Sequence, residues 1–261
     1  MNIVVCLKQV PGTAEVKIDP KTNTLIRQGI KNIVNPFDTY ALEEGVRIKE
    51  RLGGKVTALS MGPPQAIEML RDAISVGADD AVLLSDVAFA GSDTWATAYT
   101  LGKAIEKIKS YDLVICGRQT IDGDTGQVGP ELAEMLHAPF ISYVSKVEEI
   151  ADGILRVRRM VEDGYETIEA TLPAVITVVK EINTPRLPSL RGMTKAKSAQ
   201  IPTWMAQDIN IEKDKAGLAG SATQVVKVFF PQREHHAEML KGDPEVQVNA
   251  LIEKLREAKI I

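Results

Sequence analysis

Short apolar runs alternate with segments of helical spacing along the first half of the chain. The runs lie at residues 2–7, 55–61, 80–84 and 111–116, and apolar residues recur every three or four positions between them. Short, continuously apolar runs are typical of strands buried on both faces, and their alternation with helices is typical of right-handed βαβ units. The pattern predicts an α/β fold with a parallel sheet that is covered by helices.

Cap and turn residues set the predicted helix boundaries. The first helix follows the sequence NPFD, with Asp38 as its N-cap, and ends at Gly53 and Gly54. A proline pair opens the second helix, Gly77 ends it, and Asp93 caps the third. The charged residues of the first helix are expected to face solvent, and they are Glu43, Glu44, Arg47, Lys49 and Glu50.

Past residue 141 the pattern changes to extended segments. Residues 154–161 and 167–171 predict two strands joined by a turn at Asp163 and Gly164, and residues 174–179 predict another core strand. Nearer the N-terminus, alternation over residues 16–26 around a proline predicts a small hairpin.

The last third of the chain is the least periodic. Residues 184–197, TPRLPSLRGMTKAK, are expected to form an irregular basic loop. The segment from there to about residue 236 has little periodicity, and a compact domain does not normally carry so long a free loop. We therefore predict that it forms an arm that lies on a partner. Residues 244–259 predict a closing helix with an apolar stripe.

Four glycines interrupt the regular pattern in residues 117–130, GRQTIDGDTGQVGP, here called the central loop. The central loop leaves the carboxyl end of the strand at 111–116, where open α/β sheets bind ligands. Unpaired N–H groups of the following helix attract phosphate, and glycines let the backbone approach it closely. The loops at 8–13 and 61–64 should reach the same edge. The alternative is a flexible connection whose glycines serve only turns.

Two aspartates of the central loop change this interpretation. Asp122 and Asp124 would repel a pyrophosphate, so we expect them to accept hydrogen bonds from ribose hydroxyls or loop amides. An EF-hand calcium loop is excluded, because Gly126 stands where a third oxygen ligand is needed and the later glutamate is missing.

Composition excludes several classes of protein. The 31 basic and 35 acidic residues give a net charge of −4, so the chain lacks the excess of positive charge that is typical of nucleic-acid-binding proteins. No apolar run has the length of a membrane span, and the N-terminus enters a strand without a signal-peptide pattern, so a cytoplasmic location is expected. Cys6 and Cys116 close apolar strands and are expected to be buried, reduced thiols, with a redox role as the alternative.

Catalytic motifs are missing. The sequence has no GxSxG, HExxH, Walker lysine loop or GxGxxG, and His137, His235 and His236 lack metal-ligand spacing. We therefore expect neither catalytic side chains nor a metal site. Such a chain either senses a nucleotide or holds a cofactor that supplies the chemistry itself.

Several blocks together resemble the β subunit of the electron-transfer flavoproteins. They are VVCLKQVPGT, NPFD, MGPP, the central loop, LRGMTKAK and, most specifically, VRRMVEDGYETIEATLPAVIT at residues 157–177. The resemblance implies a three-layer, adenine nucleotide α-hydrolase-like domain over residues 1–183. It also implies that residues 184–261 carry a partner-recognition loop, an arm that wraps an α subunit with its own FAD, and a C-terminal helix.

The resemblance also implies a set of site residues. Leu190 is the implied anchor for an acyl-CoA dehydrogenase-type partner, with Arg191 in its polar rim. Phe37 could approach the α-subunit flavin or simply pack in the interior. The implied nucleotide-binding residues are Cys6, Asn35, Pro36, Phe37, Asp38, Met61, Gln119, Thr120, Ile121, Asp122, Gly123, Asp124, Thr125, Gly126, Gln127, Val128, Gly129 and Pro130.

The nucleotide divides the family into two types. In ordinary members of the family this site holds a structural AMP. The sequence DGDT followed by QVGP resembles the electron-bifurcating branch, in which the site holds a second FAD. That branch implies NADH as donor, with electrons passing to ferredoxin or flavodoxin and, through the α-subunit FAD, to the dehydrogenase. Two rivals remain: a stand-alone nucleotide-binding stress-type protein, and a nucleotide-dependent ligase, which would need a catalytic loop.

Overall fold

Six α-helices and thirteen strands lie in the described parts of the chain, residues 1–12, 17–18, 25–26, 32–226 and 237–261 of a computed structural model. The strands are β1 Asn2–Cys6, β2 Gln9–Pro11, β3 Lys17–Ile18, β4 Leu25–Ile26, β5 Asn32–Val34, β6 Lys55–Met61, β7 Asp80–Leu84, β8 Leu113–Gly117, β9 Phe140–Ala151, β10 Ile154–Val161, β11 Gly164–Thr171, β12 Ala174–Val178 and β13 Thr203–Trp204. The helices are α1 Pro36–Leu52, α2 Ile67–Val76, α3 Thr94–Ile108, α4 Val128–Met135, α5 Leu190–Ser198 and α6 Pro244–Glu257.

One sheet organises the larger of two compact units, Met1–Val226. Its nine strands run in the order β11-β10-β9-β12-β8-β1-β6-β7-β13. The pairs from β9 through β13 are parallel, and β10 and β11 add an antiparallel hairpin at one end. The predicted α/β class and parallel sheet are confirmed. The predicted hairpin near the N-terminus is confirmed in the pairing of β3 with β4, although its proline lies outside the described residues.

Alternate residues of β1 pack on opposite faces of the sheet. Ile3 and Val5 contact the cluster that holds the buried residues of α1 and α2, whereas Val4 and Cys6 contact the one that holds those of α3 and α4. Strand side chains point alternately to the two faces, so a strand covered by helices on both sides has to be apolar throughout. The result is three layers, as the continuous apolar runs predicted.

Helix α1 begins earlier than predicted. Asn35 is its N-cap and Pro36 its first residue, so Asp38 lies inside the first turn. The prediction of Asp38 as the N-cap is therefore wrong, because proline has no N–H and is already suited to the first helical position. Gly53, with φ of 74°, ends the helix as predicted, and Gly77 and Asp93 bound α2 and α3 as predicted.

The outward direction predicted for Glu43 and Glu44 is also wrong. Glu43 is 2% exposed and Glu44 is 8% exposed. Two residues that follow β12 in the chain cover this face of α1. Arg186 donates to both carboxylate oxygens of Glu43, and Asn183 donates to Glu44. Arg186 pairs with the charge of Glu43, and the Asn183 amide satisfies an oxygen of Glu44, so the helix can bury both carboxyl groups where its spacing indicated solvent.

The basic segment after the sheet contains a helix, which corrects the prediction of an irregular loop over residues 184–197. Ser189 caps α5 by accepting the N–H of Gly192 at 3.0 Å. Helix α5 packs on α2, and a Cβ at Gly192 would overlap the carbonyl of Ser75. Further along, β13 pairs with β7, and Ile209 is buried in the core. The chain therefore stays on its own unit as far as residue 226.

The second compact unit, Lys227–Ile261, contains α6. This helix confirms the predicted closing helix, and Lys254 pairs with Glu238 at 2.7 Å. In the described part of the chain, no helix combines the length and apolar character needed to cross a membrane.

Candidate functional site

Asp38 joins three segments at the carboxyl edge of the sheet. Its Oδ2 accepts the N–H of Lys8, which follows β1, at 2.7 Å, and its Oδ1 accepts Asn35 Nδ2 at 2.9 Å. A Cβ at Gly117, the last residue of β8, would overlap Oδ1, so glycine is required there. Burial raises the pKa of Asp38 to about 7, although hydrogen bonds from Asn35, Lys8 and Gly117 oppose the shift.

Asn35 ties the central loop to the start of α1. It is fully buried, donates from Nδ2 to the Gln119 carbonyl at 2.9 Å, and accepts the N–H of Ile121 on Oδ1 at 3.2 Å. Its own N–H donates to the Lys8 carbonyl at 2.9 Å. The predicted convergence of the NPFD segment, the loop after β1 and the central loop is therefore present in the structure.

The two central-loop aspartates have partners within the protein. Asp122 forms an ion pair with Lys8 at 2.8 Å. Partial burial acts to raise the pKa of Asp122, but the hydrogen bond and charge of Lys8 oppose this, and the net effect is a lowered pKa. Asp124 accepts a hydrogen bond from the Gln119 side chain, and its N–H donates to the Thr120 carbonyl at 2.8 Å. Both carboxylates brace the loop, which agrees with the expectation that they do not face a phosphate directly.

The loop glycines serve different purposes. Gly126 has φ of +67°, a left-handed conformation that favours glycine, and Asp124 before it has φ of +54°. Gly129 instead allows α4 to approach the sheet, because a Cβ there would overlap the methyl group of Thr177. Residues 123–127 are exposed, so it is this part of the loop that a ligand could reach.

The thiols lie beneath the site. Cys6 and Cys116 are buried and free, as predicted, and lie on neighbouring strands β1 and β8. The hydrogen bond to Cys6 and burial raise the pKa of Cys116 well above its usual value. The Cys116 thiol therefore stays neutral, and both cysteines pack in the same buried apolar cluster. Met61 ends the adjacent strand β6 and is partly buried against the same cluster.

A cleft of about 780 Å³ adjoins the central loop. Its walls are the start of α3, the start of α4 and the chain near residues 218–225; the lining residues are Gly91, Ser92, Asp93, Thr94, Trp95, Thr125, Gln127, Glu131, Leu218, Ala222, Thr223, Gln224 and Val225. Sequence reasoning found Asp93 only as a cap and missed Thr94, Trp95 and Glu131. One signal was available, because the loop after β7 leaves the same carboxyl edge as the central loop.

An arginine stacks between two aromatic rings beside the central loop. The Arg118 guanidinium lies 5.1 Å from the ring centre of Phe37 and 5.7 Å from that of Tyr143. Arg118 also donates to the side chain of Gln119 at 2.8 Å. Phe37 thus packs against Arg118 at the protein surface rather than inside the core.

The docking residues implied by the resemblance are exposed. Leu190 is 83% exposed and Arg191 next to it is also exposed. Leu187, nearby in the chain, is 86% exposed. Their segment is attached to α1 by Arg186 and to α2 by helix α5, and none of the three residues lines the cleft.

The described residues fit a nucleotide better than a metal. Among them, no group of three or more His, Cys, Asp or Glu side chains is placed to hold a metal ion; His235 and His236 lie outside the described residues. The cleft has the volume of a small-molecule site.

Comparisons with known proteins agree on one family. A family model described as "Electron transfer flavoprotein domain" matches residues 22–209. The chain is 50% identical to an electron transfer flavoprotein subunit beta of Thermoanaerobacterium thermosaccharolyticum and 49% identical to the caffeyl-CoA reductase-Etf complex subunit CarD of Acetobacterium woodii, each over the full length of both chains. It is 43% identical to the protein FixA of Bradyrhizobium diazoefficiens, over 98% of this chain and 91% of the relative.

Proposed function

The chain belongs to the electron transfer flavoprotein family as a β subunit, and we propose that it holds FAD at the carboxyl edge of its sheet, in a cytoplasmic complex with an α subunit. When bound, this flavin would supply the redox chemistry, namely the acceptance of a hydride from NADH and the division of the electron pair between two acceptors. One acceptor is ferredoxin or flavodoxin. The other is an acyl-CoA dehydrogenase-type partner, reached through the FAD of the α subunit.

The observation that supports FAD over AMP is the continuity of the central loop with the cleft. Thr125 and Gln127 belong to the loop and also line the cleft of about 780 Å³. A nucleotide whose phosphates lie on the loop therefore has a large adjoining volume for a second half, which FAD has and AMP lacks. The unpaired N–H groups at the start of α4 and the open backbone at Gly126 suit a diphosphate.

The protein's own contribution is to hold the site in place. Asp38 and Asn35 fix the central loop against β1 and α1 through partly buried hydrogen bonds. Lys8 adds an ion pair to the tip of the loop at Asp122. A loop fixed in this way loses little freedom on binding, which favours affinity.

Partner docking is proposed for the exposed segment around Leu190. Two ends of that segment are fixed: Arg186 bonds Glu43 and Glu50 on α1, and Arg71 of α2 donates to the Ala196 carbonyl at 2.8 Å. An exposed leucine on a rigid support, next to basic residues, suits a hydrophobic pocket with an acidic rim. The arm that wraps the α subunit is proposed for the second unit, where the Val246 and Val248 side chains of α6 are exposed.

Counting the nucleotides tests the proposal. The chain is co-expressed with its α subunit, the purified heterodimer is denatured, and released FAD and AMP are quantified by chromatography. Two FAD per heterodimer, together with NADH-dependent reduction of ferredoxin, are expected. One FAD and one AMP per heterodimer would replace the proposal with an ordinary electron carrier that holds structural AMP.

A further inference from the structure

The buried carboxyl group of Asp38 is surrounded by hydrogen-bond donors. Its Oδ2 accepts the N–H of Lys8 at 2.7 Å, its Oδ1 accepts Asn35 Nδ2 at 2.9 Å, and the backbone of Gly117 is a third donor. An ionised carboxylate accepts at both oxygens, whereas a protonated carboxyl carries a hydrogen that must itself be donated to an acceptor. The three donors therefore fit the ionised form of Asp38.

Burial favours the opposite form of the same group. It raises the pKa of Asp38 to about 7, because a buried carboxylate loses the solvation of its charge. Protonation near neutral pH would place a hydrogen among the three donors. The new hydroxyl is then either left without an acceptor, which costs energy in a buried place, or a neighbouring group has to turn to accept it.

Asn35 is the partner that could turn, because its side chain carries an acceptor as well as a donor. That acceptor is already used: Oδ1 accepts the N–H of Ile121 at 3.2 Å, and Nδ2 donates to the Gln119 carbonyl at 2.9 Å. An amide turned toward a protonated Asp38 would set its NH2 group against the Ile121 N–H and its oxygen against the Gln119 carbonyl. Protonation of Asp38 is thus linked to the loss of two hydrogen bonds on the central loop.

The charged and titratable groups that face Asp38 come from β1 and β8. Lys8, after β1, favours the carboxylate by its positive charge, and its side chain pairs with Asp122. On β8, Cys116 interacts with Asp38 and is hydrogen-bonded to Cys6 of β1. The pKa of Asp122 is lowered and that of Cys116 is raised, so neither changes its charge near neutral pH. Asp38 is therefore the acid of this cluster that changes its charge there.

We infer that the ionised carboxylate of Asp38 holds the central loop in its nucleotide-binding form, and that protonation of Asp38 releases the loop through Asn35. Asp38 is in this sense a positioning residue, which acts on the nucleotide through the loop. The inference rests on the proposed function, because it takes a nucleotide to bind on the central loop. It adds that the affinity for this nucleotide rises with pH through the neutral range.

The pH dependence of FAD binding tests the inference. FAD is the probe, because its two phosphates are bridged and keep their charge, whereas the terminal phosphate of AMP titrates near pH ~6. The heterodimer with only its α-subunit FAD in place is titrated with FAD at pH 6 and at pH 8. About one tenth of Asp38 is ionised at pH 6 and about nine tenths at pH 8, so binding should be about tenfold weaker at pH 6. Equal affinity at both pH values would overturn the inference.

Two variants separate the charge of Asp38 from a purely structural role. Asp38→Asn has nearly the same shape but no charge, and its NH2 group places hydrogens among the same donors. It should bind FAD at both pH values as weakly as the unmodified chain does at pH 6. Asp122→Asn is the matched control, because it removes a carboxylate of lowered pKa from the same loop, and it should keep the tenfold change with pH. A tenfold change that persists in Asp38→Asn would assign the effect to another group and contradict the inference.

Hydrogen exchange provides a test that needs neither a nucleotide nor a variant. The N–H groups of Lys8 and Ile121 are bonded to Asp38 and Asn35, so their protection factors report the two ends of the network. Both should fall between pH 8 and pH 6 in the heterodimer, while protection in the β10–β11 hairpin stays constant. Constant protection at Lys8 and Ile121 would overturn the inference. A heterodimer that binds no second FAD at either pH would refute the proposed function instead, and the exchange result would still decide the role of Asp38.

Discussion

Gly117 lies directly against the carboxylate of Asp38, so close that a methyl group on Gly117 would overlap Oδ1. The contact joins the end of β8 to the first turn of α1. Lys8, which follows β1, adds a third segment by donating its N–H to Asp38 Oδ2. A glycine at the end of one buried strand thus makes room for the carboxyl group that holds the candidate site together.

The raised pKa of Asp38 predicts a dependence of stability on pH. Its pKa is about 7 in the folded protein against 3.8 ordinarily, so between about pH 4 and pH 7 the folded state keeps a proton that the unfolded chain releases. Stability should therefore fall as pH rises through this window, by roughly 4 kcal/mol in the limit of full ionisation. Asp38→Asn should lack this component. Urea unfolding of both proteins from pH 5 to 8 tests it, and a stability difference that stays constant with pH would contradict it.

Gly126→Val should expel the nucleotide while the sheet stays folded. Gly126 has φ of +67° and sits where the loop backbone is open, so a branched side chain would fill the space proposed for the phosphates. Gly153→Val is the matched control, because Gly153 has φ of +75° in a turn with open space around it. Both variants should lose about 1–2 kcal/mol from backbone strain, and only Gly126→Val should lose flavin. Retention of both FAD per heterodimer in Gly126→Val would count against a phosphate site on this loop.

Leu190→Ala should weaken electron transfer to the dehydrogenase without changing flavin content. Removal of a central apolar anchor should raise the half-saturating dehydrogenase concentration about tenfold or more. Val87→Ala is the control, since Val87 is similarly exposed but lies after β7, away in the chain from the start of α5. NADH oxidation with an artificial acceptor should be unaffected in both. Identical transfer kinetics in the two variants would exclude Leu190 as the anchor.

Arg186→Met should destabilise the larger unit. Glu43 is almost fully buried and would keep only Arg47 as a charged partner, at 2.6 Å. Because the Arg186 side chain is itself 33% exposed, we expect a loss of about 2 kcal/mol rather than that of a fully buried pair. Arg156→Met, whose partners Glu149 and Glu169 are exposed, should cost clearly less than Arg186→Met, because solvent screens a surface ion pair. Equal losses in the two variants would show that the Arg186 pair is no stronger than a surface pair.

Much of the fold could be predicted from the sequence, because the signals are local. The continuous apolar runs, the glycines at 53 and 77 and the Asp93 cap each act on their own neighbourhood, and the structure confirms them. The order of strands and helices places the loops after β1, β6 and β8 at one edge, since parallel strands share their carboxyl ends. The central loop, with its NPFD contacts, could be identified as a candidate site for the same reason.

Only the tertiary structure decided which polar residues are buried and what adjoins the loop. Glu43 faces outward by helical spacing, yet Arg186, 143 residues later, covers it. Thr94, Trp95 and Glu131 share no local motif and form one cleft only because α3 and α4 pack side by side, with residues 218–225 bonded across them. Periodicity reports the neighbours along one element, whereas burial and cavities depend on contacts between elements that are distant in the chain.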